Sequence, residues 1–137
     1  MIKLIVGQKG LGKTKKLIDM ANSAAKTSDG HVVFIDRDKQ HIYDLHYDVR
    51  FVETENFPLS NYRELVGFVC GILSQDNDIK EIFVDGLTKV IHDIDNDGLL
   101  KLCKKFETLS QTNEVDFVMS MNCDAETLPD ELKSLTI

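Results

Sequence analysis

Arginine, cysteine and long apolar runs are all scarce in this chain. The only arginines are Arg37, Arg50 and Arg63, and the net charge is −7. A surface of that sign is not built mainly to hold nucleic acid or an anionic membrane, so nucleic acid is not an expected partner. Cys70, Cys103 and Cys123 form an odd set without C-x-x-C spacing. They point to a reducing, cytoplasmic setting, with Cys70 and Cys103 as core residues. His31, His41, His46 and His92 show no ligand spacing, which leaves zinc without support. The longest apolar run, Leu65 to Leu73, has nine residues and is too short to cross a bilayer. An expected strand at Ile2 leaves no room for a signal peptide. There is no repeat and no low-complexity segment. The 137 residues suffice for one domain with a real core and not for two.

Against these absences stands Gly7-Gln8-Lys9-Gly10-Leu11-Gly12-Lys13-Thr14, which fits G-x-x-x-x-G-K-[ST] at every fixed position. Its context suits the pattern. Ile2, Leu4, Ile5 and Val6 read as a buried strand, and Lys15 to Lys26 as a helix. A strand, a glycine-rich turn and a helix N-terminus make an anion site, because backbone N–H groups and the helix dipole both favour negative charge there. The glycines let the backbone close on phosphate oxygens without a side-chain clash. Lys13 would reach the β- and γ-phosphates, and the Thr14 hydroxyl would ligate Mg²⁺. The local lysine cluster (Lys9, Lys13, Lys15, Lys16) belongs to this site.

Further along, the helix after the loop ends at Thr27-Ser28-Asp29-Gly30, with glycine in the usual C-terminal place. His31 to Asp36 is a continuous apolar strand of the kind covered on both faces. Lys39 to Asp48 has room for a short helix, and Val49 to Glu53 reads as a short strand. Asn61 with Glu64 predicts a capping box for a helix running to about Gln75 and packed deeply along Leu65 to Leu73. Glu81 to Asp85 is the fourth strand. Leu99 to about Gln111 is an amphipathic helix, Asp116 to Met121 the fifth strand, and Pro129 to Ser134 a short closing helix. Strands alternating with helices predict an α/β fold: a doubly wound, mainly parallel five-stranded sheet with helices on both faces.

In such a sheet ligands bind at the carboxyl ends of the strands. Those ends carry Asp36, Asp38, Glu53, Glu55, Asp85, Ser120 and Asn122. Asp85 closes a short apolar strand and would hold Mg²⁺ directly or through water. Asp93 to Gly98 matches the first six positions of an EF-hand loop, but the twelfth position is Lys104 where a bidentate Glu is needed. A solvated loop is the expected reading, with Asn96 or Asp97 capping the helix at Leu99. The GTPase signature N-K-x-D is absent at Met121 to Asp124, so ATP is the expected nucleotide.

The loop Gly7–Thr14, the strand Ile82–Asp85 with Gly86-Leu87-Thr88, and the polar end at Asn122 together resemble the RecA-like P-loop ATPases. The chain is similar to the small stand-alone P-loop proteins often labelled twitching-motility-type ATPases, over about residues 1 to 122. That resemblance implies ATP and Mg²⁺ bound by Gly10, Gly12, Lys13, Thr14 and Asp85. It places Asn122 as a sensor of the γ-phosphate. Related ATPases often follow the metal-binding Asp with a glutamate that orients water. Here Gly86 stands in that place, leaving Asp36, Asp38 or Glu53 as substitutes. The extra N-terminal domain and His- and Asp-containing boxes of pilus-retraction motors have no counterpart in this sequence. The expected function is a weak ATPase or ATP-dependent switch acting on a protein partner or within a homo-oligomer. The alternatives are a nucleotide-binding module without useful hydrolysis and a small-molecule kinase. Short connections without an arginine-rich lid count against the kinase.

Overall fold

A computed structural model describes residues 1–137. Its elements run β1 (Ile2–Gly7), α1 (Lys13–Thr27), β2 (His31–Asp36), β3 (Val49–Glu53), α2 (Tyr62–Ser74), β4 (Ile79–Val84), α3 (Leu87–Val90), α4 (Asn96–Asn113), β5 (Asp116–Asn122) and α5 (Asp130–Lys133). Single 3-10 turns lie at Ile42–Asp44 and Ala125–Thr127. All five strands are parallel, in the order β1-β5-β4-β2-β3. The expected doubly wound α/β sheet is therefore present.

The two sheet faces carry separate cores. On one face Ile5, Val32, Phe34, Phe83 and Val118 pack against Leu17, Ile18, Ala21 and Ala24 of α1. On the other, Leu4, Val33, Ile35, Ile82, Val84, Phe117 and Met119 join Leu65, Val69 and Leu73 of α2 and Leu99, Leu102 and Phe106 of α4. Both faces are covered, which is why His31–Asp36 has apolar residues at four consecutive positions where an amphipathic strand would alternate. Alternation of side chains then decides the site. Ile5, Val118, Phe83 and Phe34 share the α1 face, so two residues later Gly7, Ser120, Asp85 and Asp36 share it as well. The backbone continues the ladder far enough for this, since the Asp85 amide donates to the Ile35 carbonyl at 2.9 Å.

The loop strand β1 lies at the sheet edge. Its outer side is met over one residue, where the Leu4 amide donates to the Leu135 carbonyl at 2.9 Å and the Ile137 amide donates to the Leu4 carbonyl at 2.9 Å. No helix is long and apolar enough to cross a membrane.

Several expectations need correction. Helix α2 is apolar on most sides, yet only Leu65, Val69 and Leu73 are buried, and Gly67, Cys70 and Gly71 face outward. A helix resting on one sheet buries a single stripe, so Cys70 is exposed and not a core residue. Cys103 is buried as expected, and burial pushes its thiol up to about 12. Asn61 caps α2 by accepting the Glu64 amide at 3.0 Å, but the Glu64 carboxylate reaches back to the Ser60 amide at 2.6 Å, one residue before the expected partner. Helix α4 starts at Asn96, three residues earlier than expected, because Asp95 is its cap and accepts the Gly98 amide at 2.7 Å. The short helix α3 lacks an apolar repeat long enough to be seen in sequence.

Candidate phosphate and metal site

The three turn glycines hold backbone conformations that other residues rarely adopt: Gly7 at φ 154°, Gly10 at φ 90° and Gly12 at φ 78°. They carry the chain from β1 into α1 within five residues, from Gln8 to Gly12. Gly12 is the helix N-cap and offers no side chain to the free amides behind it, and no acidic residue sits in the first turn. Most helices satisfy these orphan N–H groups with a Ser, Thr, Asp or Asn cap. This one has no such cap.

The loop opens into a cavity of about 400 Å³ lined by Lys9, Gly10, Gly12, Lys13, Thr14, Asp85, Gly86, Lys89, Ser120, Met121 and Asn122. That size suits a small ligand. A larger cleft of about 630 Å³ follows the outer side of α1, but exposed α1 side chains make up most of its walls. We therefore place the chemistry in the smaller one.

Lys13 folds back over the loop, and its ammonium donates to the Gln8 carbonyl at 2.7 Å. The Thr14 hydroxyl lies 3.1 and 3.2 Å from the two Asp85 oxygens. Ser120, at the carboxyl end of β5, donates to Asp85 Oδ1 at 2.9 Å and accepts the Gly86 amide at 2.8 Å. This bond fixes the carboxylate and the turn after it together. Asn122 pairs in register with Gly7 and lines the cavity from the exposed side.

Asp36 sits one strand farther out and is fully buried. Its Oδ1 accepts the Arg37 amide at 2.7 Å, while Oδ2 has no partner. Burial pushes its carboxyl up from 3.8 to about 6; Lys89 pulls it down and Asp85 pushes it up. Asp38 turns away, accepting the Gln40 amide at 3.0 Å, and does not line the cavity. Glu53 pairs in register with Asp36 on the far side and is also outside the cavity. Gln8 and Leu11 are exposed, and neither lines it.

Lys89 was not singled out by the sequence. Its ammonium lies 3.3 Å from Asp85 Oδ2 and 3.6 Å from Asp36 Oδ1. Partial burial lowers its proton affinity, but Asp85 and Asp36 outweigh that and hold the ammonium above its ordinary value. A four-residue spacing after Asp85 on a short helix is the only signal the sequence offered.

The donor set fits a hard divalent cation with oxygen ligands: the Thr14 hydroxyl, the Asp85 carboxylate and the unpartnered Asp36 oxygen. The bare amides of α1 and Lys13 fit phosphate. Elsewhere, His31, Asp76 and Asp78 bring three potential ligand atoms close together. Arg50 already supplies their cation, at 2.7 Å from Asp76. Within Asp93–Gly98, Asp95 is committed to its cap and Asp97 to Lys101 at 2.9 Å. We expect calorimetry to give no calcium dissociation constant below about 10 μM, the range of sensor loops; tighter binding would show a calcium site at this loop.

No family model matches the chain, and no curated protein matches it.

The Asp36 carboxyl should also be visible in stability. Its folded value lies above the ordinary 3.8, so the folded state favours the protonated form. The stabilisation is complete below about pH 4 and is lost as pH rises through about 6. A shift of about two units corresponds to about 3 kcal/mol. Asp36→Asn cannot ionise. Its stability relative to the parent should rise by about 2–3 kcal/mol between about pH 4 and pH 7.5, measured by urea unfolding. A difference that stays constant with pH would mean that the carboxyl is ordinarily solvated.

Proposed function

We propose that this chain binds ATP together with Mg²⁺ and works as a slow ATPase or ATP-dependent switch on a protein partner. The observation that carries this reading is a convergence. The uncapped start of α1, the Lys13 ammonium, the Thr14 hydroxyl and the Asp85 carboxylate all border one cavity. An ordinary strand-to-helix turn has no reason to leave its amides free beside a lysine and a buried carboxylate.

In this reading the amides of residues 10 to 14 and the Lys13 side chain hold the phosphates. Thr14 and Asp85 hold the cation, which bridges phosphate oxygens and offsets their charge when bound. Ser120 keeps Asp85 in position. Asp36 does not line the cavity either, but it is buried on the strand beside Asp85 with one oxygen unpartnered, and it is the candidate base in this reading. Asn122, which lines the cavity from the end of β5, is the sensor of the outermost phosphate in this reading.

Two features favour slow turnover. Gly86 offers no carboxylate beside Asp85, and none of the three arginines lines the cavity. Arg50 is tied to Asp76, and Arg63 lies 5.1 Å over the Tyr62 ring. Arg37 is exposed without an ion-pair partner, next to Asp36, and is the first candidate for donation to a neighbour's nucleotide. We expect the isolated protein to turn over at well under about 1 s⁻¹, the low end of enzyme rates. Phosphate release per chain should rise with protein concentration and fall in Arg37→Ala. Fast turnover that ignores both would mean that one chain holds a complete catalytic set. No turnover at any concentration would favour a nucleotide-dependent binding module, and label moving from ATP to an acceptor would favour a kinase.

A further inference from the structure

Asp85 and Asp36 are two carboxylates on adjacent strands, each with a side chain about 1% exposed. Buried carboxylates need a cation beside them or they do not stay ionised. Here the cation is Lys89. Its ammonium lies between the two, and its stem is held there by an unusual neighbour. Gly86 stands at φ 70°, and a Cβ built on it would lie 2.3 Å from Lys89 Cε and 3.3 Å from both Cδ and Cγ. The lysine stem crosses directly over the glycine. Thus the missing side chain at position 86 makes room for the charge at position 89.

One ammonium does not finish the arrangement. It carries a single charge against two carboxylates and leaves Asp36 Oδ2 without a partner. A divalent cation held by Asp85, Asp36 and Thr14 would balance both charges. It would also stand where the ammonium stands.

We propose that Lys89 is the resident cation of the metal site, so that its ammonium and a divalent ion exclude each other between Asp85 and Asp36. This rests on the Mg²⁺ half of the proposed function, and it makes Asp36 a metal ligand in place of the candidate base. When the ion enters, Lys89 is released into the cavity it already lines with Lys9 and Lys13. Its positive charge then faces the phosphates. The protein without nucleotide therefore binds divalent ions weakly.

The test is a Mn²⁺ titration of the full, nucleotide-free chain, followed by electron paramagnetic resonance. Mn²⁺ accepts the same oxygen ligands as Mg²⁺. Lys89→Met keeps the apolar stem and removes the charge, and it should bind Mn²⁺ at least tenfold more tightly than the parent. Lys89→Arg keeps the charge and should bind as weakly as the parent. Gly86→Ala pushes the lysine stem aside without deleting the ammonium and should also tighten binding, which keeps the idea testable if Lys89→Met does not fold. Adding Asp36→Asn to Lys89→Met should take the gain away. Unchanged Mn²⁺ affinity in the folded Lys89→Met and Gly86→Ala proteins would overturn the proposal. Calorimetry with ATP separates the two readings. Tighter Mn²⁺ without any ATP binding leaves the exclusion standing and removes the nucleotide, whereas ATP binding with unchanged Mn²⁺ does the reverse.

Discussion

Replacing Lys13 with alanine should weaken ATP binding about a hundredfold while leaving the fold intact. Hydrogen bonds to charged groups contribute about 1.5–3 kcal/mol each, and about 1.4 kcal/mol is a factor of ten in affinity. The Lys13 ammonium is one hydrogen bond from being free, since its only partner is the Gln8 carbonyl at 2.7 Å on its own loop. Breaking that exposed contact for phosphate therefore costs the protein little. The backbone amides remain in the variant, so binding should weaken and not vanish. Calorimetry with ATP and Mg²⁺ measures the change, and a melting curve confirms the fold. An affinity equal to the parent's would mean that the loop does not cradle phosphate.

Phe117→Ala should destabilise the protein by about 3–5 kcal/mol, the usual cost of removing a buried phenylalanine. Phe117 on β5 and Phe106 on α4 are both wholly buried, with ring centroids 4.5 Å apart and planes within 11°. The pair joins the longest helix to the strand that carries Ser120 and Asn122. Domains of this kind have only about 5–15 kcal/mol of stability in total. A single truncation should thus shift the urea midpoint sharply downward at an unchanged slope. A loss below about 1 kcal/mol would mean that the site collapses around the gap and that this stack is not a support of β5.

How far the sequence could be read follows from range. The loop was legible because its parts are neighbours: glycines at fixed spacing, then Lys13 and Thr14, all within one turn of the helix. Strands β2 and β3 were legible to the residue because apolar runs end abruptly at Asp36 and Glu53. Asp85 could be read for the same reason. Its companions could not. Asp36, Asp38 and Glu53 are equivalent as strand-end acids, and only strand order and the turn after β2 separate them. The order puts β2 beside β4, so Asp36 meets Asp85, while Asp38 closes its own turn. Ser120 was one polar residue among several at strand ends until β5 proved to lie between β1 and β4. Lys89 was silent because a lysine on the outer side of a short helix is ordinary; its meaning depends on the bare Cα of Gly86 beneath it. Helix α2 misled for a related reason. Its composition shows apolar side chains but not how many sides of the helix are covered, and Cys70 lies on the uncovered one.

The position of β1 at the sheet border has one more consequence. A border strand presents unpaired amides and carbonyls, a template onto which another strand can add. In this fold the border strand is also the root of the glycine loop, since Gly7 ends it. Leu135 and Ile137 occupy the middle of that border by bonding both backbone groups of Leu4, three residues before the loop begins. Leu135–Ile137 therefore covers the middle of the border and leaves the rest of β1's outer side unpaired. Without those two bonds the whole edge would be a template for sheet extension by a second chain, directly beside the root of the loop.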